Sequence, residues 1–217
     1  MLWIRIAAAI GVLSGFVADA RAQGGTPLDA LIEPAVGRSA CFRRVYDAAH
    51  LKKVPKQSVT EIAVWLRYEP PLAGGTGVAL GLGLAVLRRG ETAALFSDGD
   101  CQWDAKANRD TSGRRLIKAF PREAGVVCLQ SARPDVFRAV SAEEGGELLF
   151  DRGRDRDTLM LYVGDRLTMV RRANRSDQLD IRFGADDRVF LLRRAADKDC
   201  EFVKEAVKTP EPGVRQR

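Results

Sequence analysis

Hydrophobic residues recur mostly at every second position along this chain, which predicts strands rather than helices. Over residues 60–68, Ile62, Val64, Leu66 and Tyr68 fall on one face of a half-buried strand that Pro70, Pro71, Gly74 and Gly75 bring to an end. Over 76–87, Val78, Leu80, Leu82, Leu84 and Val86 alternate with Gly77, Ala79, Gly81, Gly83 and Ala85. A helix would scatter those glycines around its circumference at about 1 kcal/mol each, whereas a strand lines them up. The segment predicts a strand with one bare face, suited either to close packing against a neighbouring layer or to an apolar ligand floor. Arg88-Arg89-Gly90-Glu91 then predicts a turn into a short strand that ends near Phe96.

The second half carries two hairpin patterns. Residues 159–163 and 167–170 flank Gly164-Asp165, a two-residue turn with glycine first, and 179–183 and 188–192 flank the turn 184–187. Helical pattern is confined to residues 47–53, with Asp47 as N-cap. Residues 23–40 predict a linker with at most one helical turn, and the stretch from Lys204 on predicts a flexible basic tail. Asp100-Cys101-Gln102-Trp103 and Asp199-Cys200-Glu201-Phe202 share a pattern, and Cys41 and Cys128 each precede a set of strands. That repetition suggests duplicated halves over 41–104 and 126–203. The expected fold is mainly β: an antiparallel β-sandwich or partly closed barrel over 41–203, with one short helix near the N-terminus.

The first 22 residues change how the cysteines are read. A head containing Arg5, an apolar run over 6–17 and the exit Ala20-Arg21-Ala22 form the three parts of a signal peptide cleaved between Ala22 and Gln23. The apolar run is too short for a membrane span. Export places the protein in the periplasm or outside the cell, where Cys41, Cys101, Cys128 and Cys200 predict two disulfides. Four cysteines allow three pairings. The repeated pattern favours Cys41–Cys101 with Cys128–Cys200, and the nested pairing Cys41–Cys200 with Cys101–Cys128 comes next. With one histidine and no C-x-x-C, the sequence offers no metal site, and it contains no cofactor motif.

Chemistry is sparse. His50 lies three residues after Asp47, close enough on a helix for an acid–base pair, but no G-x-S-x-G accompanies it, and a local hydrogen bond explains it as well. The carboxylates of Asp98, Asp100 and Asp104, and of Asp151, Asp155 and Asp157, fit solvated turns better than a calcium loop. Without Arg5, Arg21 and Asp19 the remaining 33 cations and 28 anions leave a net charge of +5, carried mostly by arginine. Arginine grips phosphate and carboxylate bidentately. Arg171, Arg172, Arg193 and Arg194 would form one anion-binding patch if their strands were neighbours, with Tyr46 and His50 as further candidate binding residues.

The run Cys41-Phe42-Arg43-Arg44-Val45-Tyr46-Asp47-Ala48-Ala49-His50-Leu51, with Pro55, Gln57 and Val59, resembles the opening of an uncharacterised group of secreted, β-rich alphaproteobacterial proteins. Asp186-Asp187-Arg188-Val189-Phe190-Leu191-Leu192 and Cys200 fit the group's closing part. A second histidine common near Pro55 in that group is replaced here by Val54, which removes a two-histidine site. The resemblance implies export and a β fold, and no activity.

These observations point to an exported, non-catalytic envelope or binding protein with an anionic or amphiphilic ligand. The alternatives are a periplasmic hydrolase using His50 or paired carboxylates, and an inhibitor of a secreted enzyme acting through a polar loop at 104–115. The expected partners are an anionic envelope component, through peripheral membrane contact, or another protein, and not nucleic acid.

Overall fold

A computed structural model describes residues 27–70, 78–131, 145–172 and 174–208. The ten strands are β1 (Ser39–Val45), β2 (Val59–Glu69), β3 (Ala79–Arg88), β4 (Leu95–Asp104), β5 (Gly125–Ser131), β6 (Glu147–Arg152), β7 (Thr158–Val163), β8 (Arg166–Arg171), β9 (Asn174–Arg182) and β10 (Val189–Ala195). Helices α1 (Ala48–Lys53) and α2 (Glu201–Lys208) complete the described elements beside short 3-10 turns. The signal segment 1–22 and the tail beyond 208 lie outside the described residues.

Eight strands close into an antiparallel barrel in the order β1-β2-β3-β4-β5-β6-β7-β10, with β10 returning to β1. The sheet is continuous around the ring, so the sandwich alternative does not hold. Closure leaves the barrel strands without a free edge, which for a sheet this long removes its main liability. Alternate side chains point inward and pack together: Phe42, Phe150 and Phe190 are fully buried there with Leu66, Leu82, Leu84, Leu148 and Leu161. An eight-stranded barrel is just wide enough for side chains to fill, and these fill it.

Both ends are closed. At the end where β2 terminates, the 3-10 turn Pro27–Ala30 and the residues after it bury Leu28, Leu31 and Ile32 against the core. The expected linker does contain one helical turn, but its apolar patch is a plug. Arg194 donates to the Leu31 carbonyl and the Tyr68 hydroxyl to the Asp29 carboxylate at 3.4 Å, fixing the plug to the rim. At the opposite end, β8 and β9 form a hairpin that pairs with the start of β4 at Leu95 and Phe96. Its Leu167, Met169 and Ile181, with Phe183 just beyond, join the core.

This hairpin overturns the two expected turns. The predicted strands exist, but β7 pairs with β6 and β10, and β8 with β4 and β9. Gly164-Asp165 is therefore a corner where the chain leaves the barrel, with the Gly164 N–H donating to the Glu147 carbonyl at 3.2 Å. The 184–187 segment is the returning corner, and the buried Asp187 carboxylate accepts from Ser58 N at 2.8 Å, Ser58 Oγ at 2.7 Å and Val59 N at 3.0 Å. Alternation specifies a strand and a face but not a partner, so a corner and a hairpin look alike in sequence.

Three other expectations need correction. The strand expected to end near Phe96 begins at Leu95 and carries Asp98, Gly99 and Asp100 inside β4. Asp47 does cap α1, but the helix that packs on the barrel is α2 near the C-terminus, where a tail was expected. Val203 and Ala206 of α2 are buried on the outer face of the sheet over Ala63, Trp65, Ala85 and Phe96. The bare face of β3 makes room for it: a Cβ on Gly83 would stand 3.0 Å from Val203 Cγ1. Close packing, not a ligand floor, explains Gly81 and Gly83, while Gly77 lies outside the described residues.

The disulfides are nested, Cys41–Cys200 and Cys101–Cys128, and not the pairing the repeat favoured. Cys101 and Cys128 face each other across β4 and β5 with Cα atoms 4.0 Å apart. Cys41 on β1 meets Cys200, the last residue of the 3-10 turn Asp197–Cys200 that leads into α2. The two Asp-Cys-polar-aromatic runs are thus not structural equivalents, since one lies within a strand and the other spans a turn and a helix start.

Candidate functional site

Each residue singled out in the sequence has a definite place. The Asp47 carboxylate accepts from the backbone N–H of His50 at 2.7 Å, as a helix cap does, and does not face the imidazole. Imidazole Nε2 lies 2.9 Å from Gln57 Oε1, and the ring packs 4.7 Å from that of Tyr46. Burial raises the Tyr46 hydroxyl above its ordinary pKa, opposed by the Arg44 guanidinium that lies over its ring. The cluster is a set of local contacts without a nucleophile.

The four candidate arginines do not form one patch. Arg171 ends β8, while Arg193 and Arg194 lie on β10, and β8 and β10 are not neighbours in the sheet. Arg171 pairs with Glu91 at 3.3 Å, Arg172 with Glu205 at 2.8 Å and Arg194 with Asp157 at 3.3 Å. Arg194 also stacks over Phe42. Arg193 is exposed opposite Arg43 on β1.

Sequence reasoning missed the most buried charge pair. Arg67 on β2 reaches across β3 to Asp98 on β4, with Nη1–Oδ1 at 2.9 Å and Nη2–Oδ2 at 3.0 Å, and both residues are buried. Arg67 Nε also donates to Glu69 at 2.6 Å, and the guanidinium lies over the Trp65 ring. Burial pushes the Asp98 carboxyl up to about 6, with Arg67 pulling it back only in part. Burial alone would lower the Arg67 pKa, but Asp98 and Glu69 together raise it, so the arginine stays charged. The available signal was a single Arg and a single Asp, each on the small-residue face of strands flanking the glycines of β3.

A groove of about 310 Å³ opens beside this pair, bounded by Val36, Arg38, Trp65, Arg67, Glu69 and Lys204. Its cations are already engaged: Arg38 with Glu33, Arg67 with Asp98 and Glu69, Lys204 with Glu201. A second hollow of about 240 Å³ lies between Arg43, Glu61 and Phe202. Among the described residues no group of three or more His, Cys, Asp or Glu side chains could hold a metal ion.

The loop 105–124 between β4 and β5 is also built to hold a shape. Ala107, Ile117 and Phe120 pack on the outer face of β5, β6 and β7 at Val127, Leu149 and Tyr162. Asn108, fully buried, accepts from Ile117 N at 2.8 Å, and its Nδ2 donates to the carbonyls of Ile117 at 3.1 Å and Arg122 at 3.2 Å. The Asp110 carboxyl is held down at about 2 by Ser112, by the backbone N–H of Arg114 and by its guanidinium. Comparison with protein-family models, curated proteins and solved structures returns no match to this chain.

Proposed function

We propose that the chain is an exported, non-catalytic binding protein of the cell envelope whose ligand meets its outer surface and not its lumen. The observation that carries this reading is the filled barrel, with its packed phenylalanines and both ends covered. Barrels that carry ligands inside keep an open, lined cavity instead. Two disulfides are consistent with an oxidising compartment outside the cytoplasm. The hydrolase alternative draws no support from His50, whose neighbours are Gln57 and Tyr46 and whose Asp47 is used as a cap.

The test is to express the whole chain with its leader in a bacterial host and fractionate the cells. The expected product begins at Gln23, is released with the periplasm and contains no free thiol. Retention of Met1 in a membrane fraction would overturn cleaved export. Hydrolysis of an ester, amide, phosphoester or glycoside substrate that His50→Gln abolishes would overturn the non-catalytic reading.

A further inference from the structure

Of the six large hydrophobic side chains exposed among the described residues, three share one stretch of the barrel's outer face: Val45 at 56%, Leu191 at 41% and Val189 at 40%. Strand alternation places them there. Phe190 and Leu192 point into the core, so Val189, Leu191 and Arg193 of β10 point outward. On β1, Phe42 points inward and Arg43 and Val45 outward. The two strands run antiparallel with Arg43 directly opposite Arg193, and their pairing ends at that rung. Two positions further in the same direction, Val45 follows on β1 and Leu191 on β10.

The strip is polarised along its length. At one end stand Arg43 and Arg193. Arg43 pairs with Glu61 at 2.8 Å, whereas Arg193 forms no ion pair among the described residues. The acids beyond it are engaged: Asp157 with Arg194 at 3.3 Å, Asp197 with Lys204 at 3.9 Å, and Asp199 with the Ala196 backbone N–H at 3.2 Å. At the other end β10 is entered past the exposed Asp186, and β1 leaves through the exposed Asp47. Tyr46 N donates to the Thr60 carbonyl at 2.9 Å and Asp47 keeps an extended backbone, so Asp47 prolongs the strand direction. Asp47 caps α1, and neither it nor Asp186 forms an ion pair among the described residues. The cations near this end are occupied or remote: Arg188 pairs with Asp165, Arg44 lies over the Tyr46 ring, and Lys52 and Lys53 lie at the far end of α1.

Cations, an aliphatic centre and acids, in that order, make a surface complementary to itself. Arg43 and Asp47 stand at equal spacing on either side of Val45, about 7 Å along the strand. A two-fold axis beside Val45 and Leu191 sets those side chains against their copies, and brings Arg193 to the partner's Asp47 at both ends. We propose that the outer face of β1 and β10 is the interface of a two-fold dimer of this chain. An anionic bilayer would meet Asp47 and Asp186 as well as the arginines, and the convex side of a barrel offers a small ligand no walls. The inference goes beyond the reading above, since it holds whatever the ligand is. The aliphatic centre is small, which places the association at the weak, concentration-dependent end of protein interfaces.

Sedimentation equilibrium of the oxidised, exported chain from about 1 µM to about 1 mM tests this. The expected result is a monomer–dimer equilibrium that weakens as salt rises, with no larger species, because a two-fold contact closes on itself. Arg193→Gln should weaken dimerisation on the order of ten-fold, at about a factor of three per exposed pair with two pairs per dimer. Asp47→Asn removes the charge but keeps a capping side chain, and should weaken it equally. Leu191→Asp sets two carboxylates together at the axis and should leave only monomer, with an unfolding curve that matches the parent. Arg193→Gln decides the matter should Leu191→Asp fail to fold. Trp103→Ser, at another exposed apolar residue, and Arg171→Gln with Arg172→Gln should leave dimerisation unchanged. Monomer alone across the whole range would overturn the dimer. Dimers that persist in Leu191→Asp, or disappear in Trp103→Ser, would overturn the assignment to this face. Growth beyond the dimer would overturn the two-fold arrangement.

Discussion

Arg67 and Asp98 form a two-pronged ion pair across a strand that separates them. The intervening residue is Gly81, and a Cβ there would stand 2.8 Å from Arg67 Cζ. The guanidinium lies directly over bare backbone, so β2 and β4 are tied together across β3 on the outer face of the barrel. A buried pair of this kind gives little net stability, but losing its geometry strands a charge.

Gly81→Ala should therefore destabilise the fold by about 1–3 kcal/mol, because the added methyl displaces a side chain pinned at its far end. Gly83→Ala should act in the same direction by pressing on Val203 and Val207 of α2. Gly184→Ala, at φ −69° with nothing within 4 Å of the new Cβ, should be near neutral. Urea unfolding of the three variants checks this, and equal effects at Gly81 and Gly184 would contradict it.

The pH dependence follows from the same pair. Asp98 titrates at about 6 in the folded chain, against roughly 3.9 for an unfolded aspartate. The folded state thus holds this proton more tightly. Its contribution to stability is fully present below about pH 4, declines through the window to about pH 6 and is flat above. Asp98→Asn removes that dependence. The stability of the variant relative to the parent should improve by roughly 1–3 kcal/mol between pH 4 and pH 7, because only the parent loses this contribution. A constant difference across that range would mean that Arg67 keeps Asp98 ionised throughout.

The disulfides make a separable prediction. Cys41–Cys200 spans 159 residues and Cys101–Cys128 spans 27, and in the chain-entropy model they contribute about 5 and about 3.5 kcal/mol. Peptide mapping without reduction should recover those two pairings alone. Cys41→Ala with Cys200→Ala should release α2, seen as faster hydrogen exchange over Glu201–Lys208 while the barrel strands stay protected.

Asn108 is the hub of the loop 105–124, accepting from Ile117 N and donating to the Ile117 and Arg122 carbonyls. Asn108→Ala should cost about 2–3 kcal/mol, since several buried backbone groups lose their partner at once. Hydrogen exchange should show the loss of protection confined to 105–124. A uniform loss over the whole barrel would mean that the loop is integral to the core.

The sequence made strands legible where one face is buried, as in β2, β3, β7 and β8. It could not tell which strands pair, because Gly164-Asp165 has the same composition as a hairpin turn while serving as a corner. Asp98 and Asp100 resembled a solvated turn because the partner that makes Asp98 tolerable lies on another strand, 31 positions away. The tail helix was missed for a related reason: eight residues with two buried apolar side chains look polar until the sheet face beneath them is known. The arginines split similarly. Three of the four candidates are paired with acids distant in sequence, a pairing that no local pattern reveals.

Whether the barrel interior is a core or a ligand chamber is decided most directly by native mass spectrometry of the oxidised protein. It would be run as purified and after incubation with a long-chain fatty acid. The filled lumen predicts a single mass for the protein without ligand, and only weak, non-stoichiometric adducts after incubation. A one-to-one complex retained in the gas phase, and strengthened when Phe150→Ala enlarges the interior, would contradict the account.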